Sequence, residues 1–256
     1  MGYVSYAQGF KAGGFSYANF PDLFDPEYVD AYEIGMKGFF LNQRLFAGIN
    51  FFYNDYTDLQ ETSVVTQGVT IQNVVRNAAS SVSKGVELDA NWMVSQDLVL
   101  KANLAILSSE YESFPDAACT MEQAIAAGGS QEACVQDLSG KDRAYSPAWS
   151  GNIAAEYNLY LGSYKMSIEP SIYFTDDFYL TTELDPWLSQ EAYAKLDLRI
   201  GFSPSDSKKW ELALIGKNLN DETTSSFASQ VTSSDGSARY IVDRPLSVAL
   251  QFTFRY

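Results

Sequence analysis

The stretch Leu246-Ser247-Val248-Ala249-Leu250-Gln251-Phe252-Thr253-Phe254-Arg255-Tyr256 decides how this chain is read. Side chains of an extended backbone alternate with a period of two. Leu246, Val248, Leu250, Phe252, Phe254 and Tyr256 therefore share one side, and Ser247, Ala249, Gln251, Thr253 and Arg255 share the other. An apolar row backed by a polar row is what a membrane strand requires, with lipid on one side and an aqueous lumen on the other. Arg255 fixes the register, because an arginine facing lipid costs roughly 2–4 kcal/mol at mid-bilayer depth.

The same design recurs upstream. Leu196, Leu198, Ile200 and Phe202 alternate with Lys195, Asp197 and Arg199, and Trp210, Leu212 and Leu214 with Glu211 and Ala213. Met166, Ile168 and Ile172 oppose Ser167, Glu169 and Ser171, while Trp149, Ile153, Ala155 and Tyr157 oppose Ser150, Asn152, Glu156 and Asn158. Leu98 to Ile106, Val86 to Trp92, Leu45 to Tyr53, Tyr32 to Met36 and a shorter Tyr3 to Phe10 complete a set of about ten strands. Pro170 lacks an amide hydrogen for the ladder, which predicts a bulge there.

The connections alternate in length. Short turns fall at Leu41-Asn42-Gln43, Ser95-Gln96-Asp97, Leu161-Gly162-Ser163 and Pro204-Ser205-Asp206-Ser207, and long connections at 11–25, 58–81, 112–144, 175–192 and 221–243. Outer-membrane barrels have short periplasmic turns and long external loops, so this rhythm orients every strand and puts Tyr256 on the periplasmic side. A soluble β-sandwich also alternates, but without such an asymmetry of loops.

Composition excludes other classes. Apolar residues make up 46% of the 256, yet no run approaches the roughly 18 apolar residues of a spanning helix. The 17 tyrosines and 16 phenylalanines suit the aromatic girdles at the two membrane boundaries. A net charge of −15, from 32 acidic and 17 basic residues, leaves no basic stripe for nucleic acid and reads as solvated acidic loops. Histidine is absent, which removes imidazole-based catalysis and metal binding. The texture is uniform over 1–256, so one domain is expected, and Met1-Gly2-Tyr3-Val4-Ser5-Tyr6 lacks a secretory signal, which points to an upstream part.

Several strings resemble the carboxy-terminal barrel of TonB-dependent outer-membrane receptors. They are Tyr6-Ala7-Gln8-Gly9-Phe10-Lys11-Ala12-Gly13-Gly14-Phe15, Pro26-Glu27 followed by Tyr32-Glu33-Ile34-Gly35-Met36-Lys37, Gly85-Val86-Glu87-Leu88, and Gly216-Lys217-Asn218-Leu219-Asn220-Asp221-Glu222, with the terminal strand. The resemblance implies an all-β fold: a transmembrane antiparallel β-barrel of the roughly 22-stranded, plugged type, of which about ten strands are present as an open sheet. It also implies active uptake of a siderophore-like or other bulky nutrient across the Gram-negative outer membrane. The partners implied are outer-membrane lipid and lipopolysaccharide, the TonB complex through an absent amino-terminal plug region, and a small-molecule nutrient ligand. The last strand resembles the signal read by the barrel assembly machinery, in Phe252, Phe254 and Tyr256. The alternative class is a passive channel, a small self-contained barrel.

Within the long connections, Cys119 and Cys134 bracket a segment in which Thr120-Met121-Glu122-Gln123 has the form of a helix capping box and Gly128-Gly129 a helix stop. A structural disulfide is the expected use in an oxidising compartment. The aromatic cluster of the first loop, including Phe15, Tyr17 and Phe20, and the loop cations Arg76, Arg143 and Arg239 are candidate ligand contacts, against the plainer readings of loop packing and charge pairing. Inward Glu33, Lys37, Glu87, Asp89, Lys101, Glu156, Glu169, Lys195, Asp197, Arg199, Glu211, Lys217 and Arg255 read as a lumenal network of both signs. Asp55, Asp58, Asp176 and Asp177 fall short of the oxygens a calcium site needs. No catalytic residue, metal or cofactor is assigned.

Overall fold

Each alternating segment pairs with the next one in the chain, as short turns between antiparallel strands demand. The computed structural model describes residues 1–16, 23–67, 70–128, 134–206, 209–231 and 237–255, without the side chains of 63–67, 70–73, 78 and 79. Ten strands form one sheet: β1 (Gly2–Lys11), β2 (Glu27–Phe40), β3 (Leu45–Gln67), β4 (Thr70–Met93), β5 (Leu98–Ser113), β6 (Trp149–Leu161), β7 (Tyr164–Thr175), β8 (Tyr193–Pro204), β9 (Trp210–Lys217) and β10 (Ser247–Phe254). All neighbours are antiparallel and in sequence order, and β1 and β10 are the edges of the open sheet.

The registers line the apolar residues into rows that run across the strands. Ile168, Ile200, Leu214 and Leu250 are successive partners from β7 to β10. Val4, Ile34, Phe51, Val86, Ile106 and Trp149 form another row from β1 to β6. These side chains are exposed or half-exposed on the sheet; Leu250 keeps 71% of its surface and Phe252 66%. Aromatic partners mark both borders of the band. Near the long loops Tyr6 faces Tyr32 with centroids 5.1 Å apart and Tyr32 faces Tyr53 at 6.4 Å. Near the short turns Tyr164, Phe202 and Trp210 form a cluster with centroids 5.1 to 6.2 Å apart. Amphipathic rings at the two borders of an apolar band are the girdles of a membrane barrel.

Two expectations need correction. The segment 58–81 is not a loop: β3 and β4 continue through it for 23 and 24 residues, paired as far as Gln67 and Thr70. A membrane crossing uses about 9–11 residues, so roughly a dozen residues, ~40 Å, project beyond the membrane as a two-stranded mast. Pro170 makes no bulge either. It stays in register with Leu198 of β8, and the register to β6 is the same on both sides of a lapse in the ladder between Ser171 and Ile168. The missing amide thus costs ladder bonds on the β6 side without inserting a residue.

The long connections are folded too. Short hairpins join Gly14–Phe15 to Leu23–Phe24, Ala117–Ala118 to Val135–Gln136, Phe178–Tyr179 to Ser189–Gln190, and Ser225–Gln230 to Ala238–Val242. The helix α1 (Met121–Ala126) sits inside the second of these. Tyr17, Phe20, Gly129 and Tyr256 lie outside the described residues.

Candidate functional site

The lumenal face follows directly from the register. Glu169 is the strand partner of Arg199, and Asp197 and Lys217 stand just beyond the end of the β8–β9 ladder at Leu198 and Gly216. Arg199 reaches Glu169 and Glu211 at 2.7 Å each, Lys217 reaches Asp197 at 2.6 Å, and Lys101 lies 3.7 Å from Glu156. Lys195 points up to Asp243 in the last long connection at 3.4 Å, sharing Thr224 with it. Toward β1 the carboxylates take neutral donors. Tyr3 Oη donates to Glu33 at 2.5 Å, and Asn50 Nδ2 to Glu87 at 3.5 Å. The Tyr3 ring lies over Gly35, where a Cβ would meet its Cζ at 2.5 Å, so a larger residue here would displace the Tyr3 ring. The face is a charged, hydrogen-bonded wall whose like-signed groups are interleaved, which suits contact with water or with a polar domain seated in the lumen.

Above this wall the long connections form one layer built on the mast. Gln60, on β3, donates from its side chain to the carbonyls of Ala12 and Asp25, both at 3.0 Å, and its backbone amide donates to Glu27. Asn77, opposite it on β4, receives the Asp25 amide at 2.8 Å and returns a bond to the Asp25 carbonyl at 3.0 Å. A side-chain amide thereby stands in for a neighbouring strand and pins the first hairpin. Gln136 bridges the Ala118 and Glu183 carbonyls at 2.7 and 2.8 Å, Thr182 donates to Thr62, and Tyr145 binds the fourth connection through both its amide and its hydroxyl. Asn220 does the same at the wall, accepting from the Leu196 amide at 2.9 Å and donating to Ala194 at 2.7 Å.

Apolar burial reinforces these bonds. Leu59 of β3 packs with Tyr111, Phe114, Ala117 and Leu138, and a second core joins Leu180, Leu188 and Ala228. Tyr111 is fully buried and Phe114 is 2% exposed. The Cys119–Cys134 disulfide is formed, with Cα atoms 5.5 Å apart, and the capping box is present: Gln123 N donates to Thr120 Oγ1 while Thr120 N donates to Gln123 Oε1.

The candidate ligand contacts fall on two sides of this layer. Phe15 is exposed on the first hairpin, and the next residue, the buried Ser16, accepts from the Val75 amide on the mast. Arg76 is the strand partner of Glu61 and donates to the Asp116 carbonyl at 3.0 Å, while Arg143 pairs with the same Glu61 at 3.2 Å and lies over the Tyr56 ring. Phe15, Arg76 and Arg143 are thus gathered around the mast. Arg239 stands apart on the last hairpin, bonded to Ser229 Oγ at 3.3 Å. Phe252 and Phe254 are exposed on the lipid side of β10. Sequence reasoning missed the bridging amides Gln60, Asn77, Gln136 and Asn220; of these only Asn220 lay in a string that drew notice, the one beginning at Gly216.

Comparison with known proteins agrees with this architecture. The family model described as TonB dependent receptor-like, beta-barrel, matches residues 1–219. The siderophore receptor PiuA from Acinetobacter baumannii superposes with a TM-score of 0.74 at 19% identity, over 100% of this chain and 34% of that one. The ferric yersiniabactin uptake receptor FyuA from Yersinia pestis gives 0.70 at 18% identity, over 98% and 34%. The copper transporter OprC gives 0.66 at 11% identity, over 99% and 37%. This chain spans about a third of the length of the solved structures it matches. Its strands, its girdles and the family match together make it part of an outer-membrane barrel, and the chain belongs to the TonB-dependent receptor β-barrel family.

Proposed function

We propose that the complete protein is an outer-membrane receptor that takes up a bulky, siderophore-like nutrient with energy delivered through TonB, and that this chain is the carboxy-terminal part of its barrel. The observation that carries the reading is the pairing of a lipid-facing wall with a rigidly built external layer above a charged lumenal face. A layer held by buried cores and side-chain amides presents ligand contacts in fixed geometry, which is what recognition of a large solute requires. Solved proteins that share this wall are named as a siderophore receptor and a ferric yersiniabactin uptake receptor, which supports the ligand class.

In this reading Phe15, with Tyr17 and Phe20, offers rings to the ligand, and Arg76, Arg143 and Arg239 offer positive charge to an anionic complex or to lipopolysaccharide phosphate. The arginines already hold protein acceptors, so an anion must compete with Glu61 for Arg143 and with Ser229 for Arg239. Phe252, Phe254 and Tyr256 serve as the signal for the barrel assembly machinery, and deleting 254–256 from the complete protein lowers its insertion.

The test is growth-limited uptake of labelled ferric siderophores by cells with and without the complete gene, each with TonB active or inactivated. Uptake that needs both the gene and TonB is expected. Uptake that needs the gene and ignores TonB identifies a passive channel instead. No gene-dependent uptake of any iron complex removes the siderophore class.

A further inference from the structure

The external layer encloses a cavity of about 200 Å³ between the mast, the disulfide-bearing connection and the last two hairpins. Sites for whole drug-sized molecules run to roughly 300–1,000 Å³, so this one fits a single arm of a ligand. Its floor is the second apolar core, at Leu180 and Leu188. Asp185, Glu183, Tyr145 and Phe227 are among its wall residues. Among the described residues no lysine or arginine lines it; Arg239 reaches one lining residue, Ser229, from outside.

Asp185 is 1% exposed, and its only partners among the described residues are neutral: the Trp187 amide at 2.8 Å and Gln230 Nε2 at 2.6 Å. Burial raises its carboxyl above the ordinary aspartate range, as expected where a charge is desolvated with no counter-ion. Another wall residue, Thr181, has a hydroxyl that is buried and makes no hydrogen bond among the described residues. A buried carboxylate short of a cation, an unused hydroxyl and two aromatic rings call for one kind of guest. Ammonium groups are held by carboxylates and by the negative faces of rings, and they donate several hydrogen bonds.

We propose that this cavity binds a primary alkylammonium arm of a ligand, with Asp185 as its counter-ion, Thr181 Oγ1 as an acceptor and the Tyr145 and Phe227 rings beside its methylene chain. The inference rests on the receptor reading only in taking the layer to face external solutes. A neutral polyol fits the hydroxyls but leaves the carboxylate uncompensated, so the charge on the guest discriminates the two.

The experiment is calorimetric titration of the complete, purified protein with 1,5-diaminopentane and, separately, with 1,5-pentanediol of the same length. Saturable binding of the diamine alone is expected, weakened at least tenfold, or about 1.4 kcal/mol, in Asp185→Asn. Equal binding of the diol, absence of saturable diamine binding, or an unchanged affinity in the variant overturns the proposal. Should Asp185→Asn fail to give the folded form on heat-modifiability gels, Phe227→Leu decides: a loss of about two- to fivefold is expected for a lost ring contact, and no loss overturns it. None of these readouts needs TonB or transport. Diamine binding without siderophore uptake leaves the cavity and removes the siderophore reading, and the converse result does the opposite.

Discussion

In the wall, Leu250 and Phe252 keep about two thirds or more of their surface free, whereas in the external layer Tyr111 and Phe114 have almost none, at 71%, 66%, 0% and 2%. The wall is apolar outside and polar inside; the layer above it is the reverse. The same residue types are sorted oppositely because each region meets a different solvent. Water drives Phe114 and Leu138 together by expelling apolar surface. Lipid exerts no such drive on Leu250, and the wall is held instead by its ladder, whose every backbone group must be paired in hydrocarbon. The two regions should therefore fail in different ways.

The largest expected effect is in the layer. Phe114→Ala is expected to cost roughly 3–5 kcal/mol of local stability, seen as faster proteolysis and hydrogen exchange in 112–144. Phe252→Ala in the wall, which removes a ring of the same size, should leave thermal unfolding nearly unchanged. Equal costs at the two sites would break the comparison. Next comes charge. Leu250→Arg should lower folded, membrane-inserted protein by about 2–4 kcal/mol, while Gln251→Arg, one residue along and facing the lumen, should insert almost normally. Similar losses for both would sink the assigned face.

A smaller effect is expected at the disulfide, which spans 15 residues. Cys119→Ser with Cys134→Ser should cost at most about 3 kcal/mol by the chain-entropy account, confined to α1 and its hairpin, with the barrel's gel mobility unaltered. Loss of the whole barrel in that variant would show the layer and the wall to be one cooperative unit. The smallest is Glu61→Gln, which leaves Arg143 without its partner carboxylate and should cost about 1–2 kcal/mol, read by proteolysis at the mast. No change would mean that solvent screens this pair as it does surface pairs.

Legibility in the sequence divides along the same line. The wall was readable because lipid on one side and water on the other enforce a strict period of two, and in the described strands the apolar rows, from Phe254 back to Val4, lie on one face as their alternation indicates. The mast was not. Leu59, Gln60, Glu61 and Thr62, and Val75 to Asn77 opposite the last three, meet the other connections and water instead of lipid, so their faces carry no clean alternation and the segment passed for a loop. The capping box and the cysteine pair were readable because both are local: their partners lie within a few residues or are the only ones of their kind. Gln60 and Asn77 were not, since an amide that stands in for a strand gives no local sign of the hairpin 35 to 52 residues away that it will hold. Pro170 misled for a related reason: the lost donor was evident, but which neighbour would absorb the loss was settled by the register.

By itself, then, the sequence determined the membrane wall and its girdles, because the bilayer acts on each residue separately through which face it occupies. Only the tertiary structure decided the external layer: which hairpins meet, that Glu61 holds Arg143, and that Asp185 is buried beside a cavity that no lysine or arginine lines among the described residues. Those outcomes depend on contacts between segments far apart in the chain, and no single segment carries the pattern that would announce them.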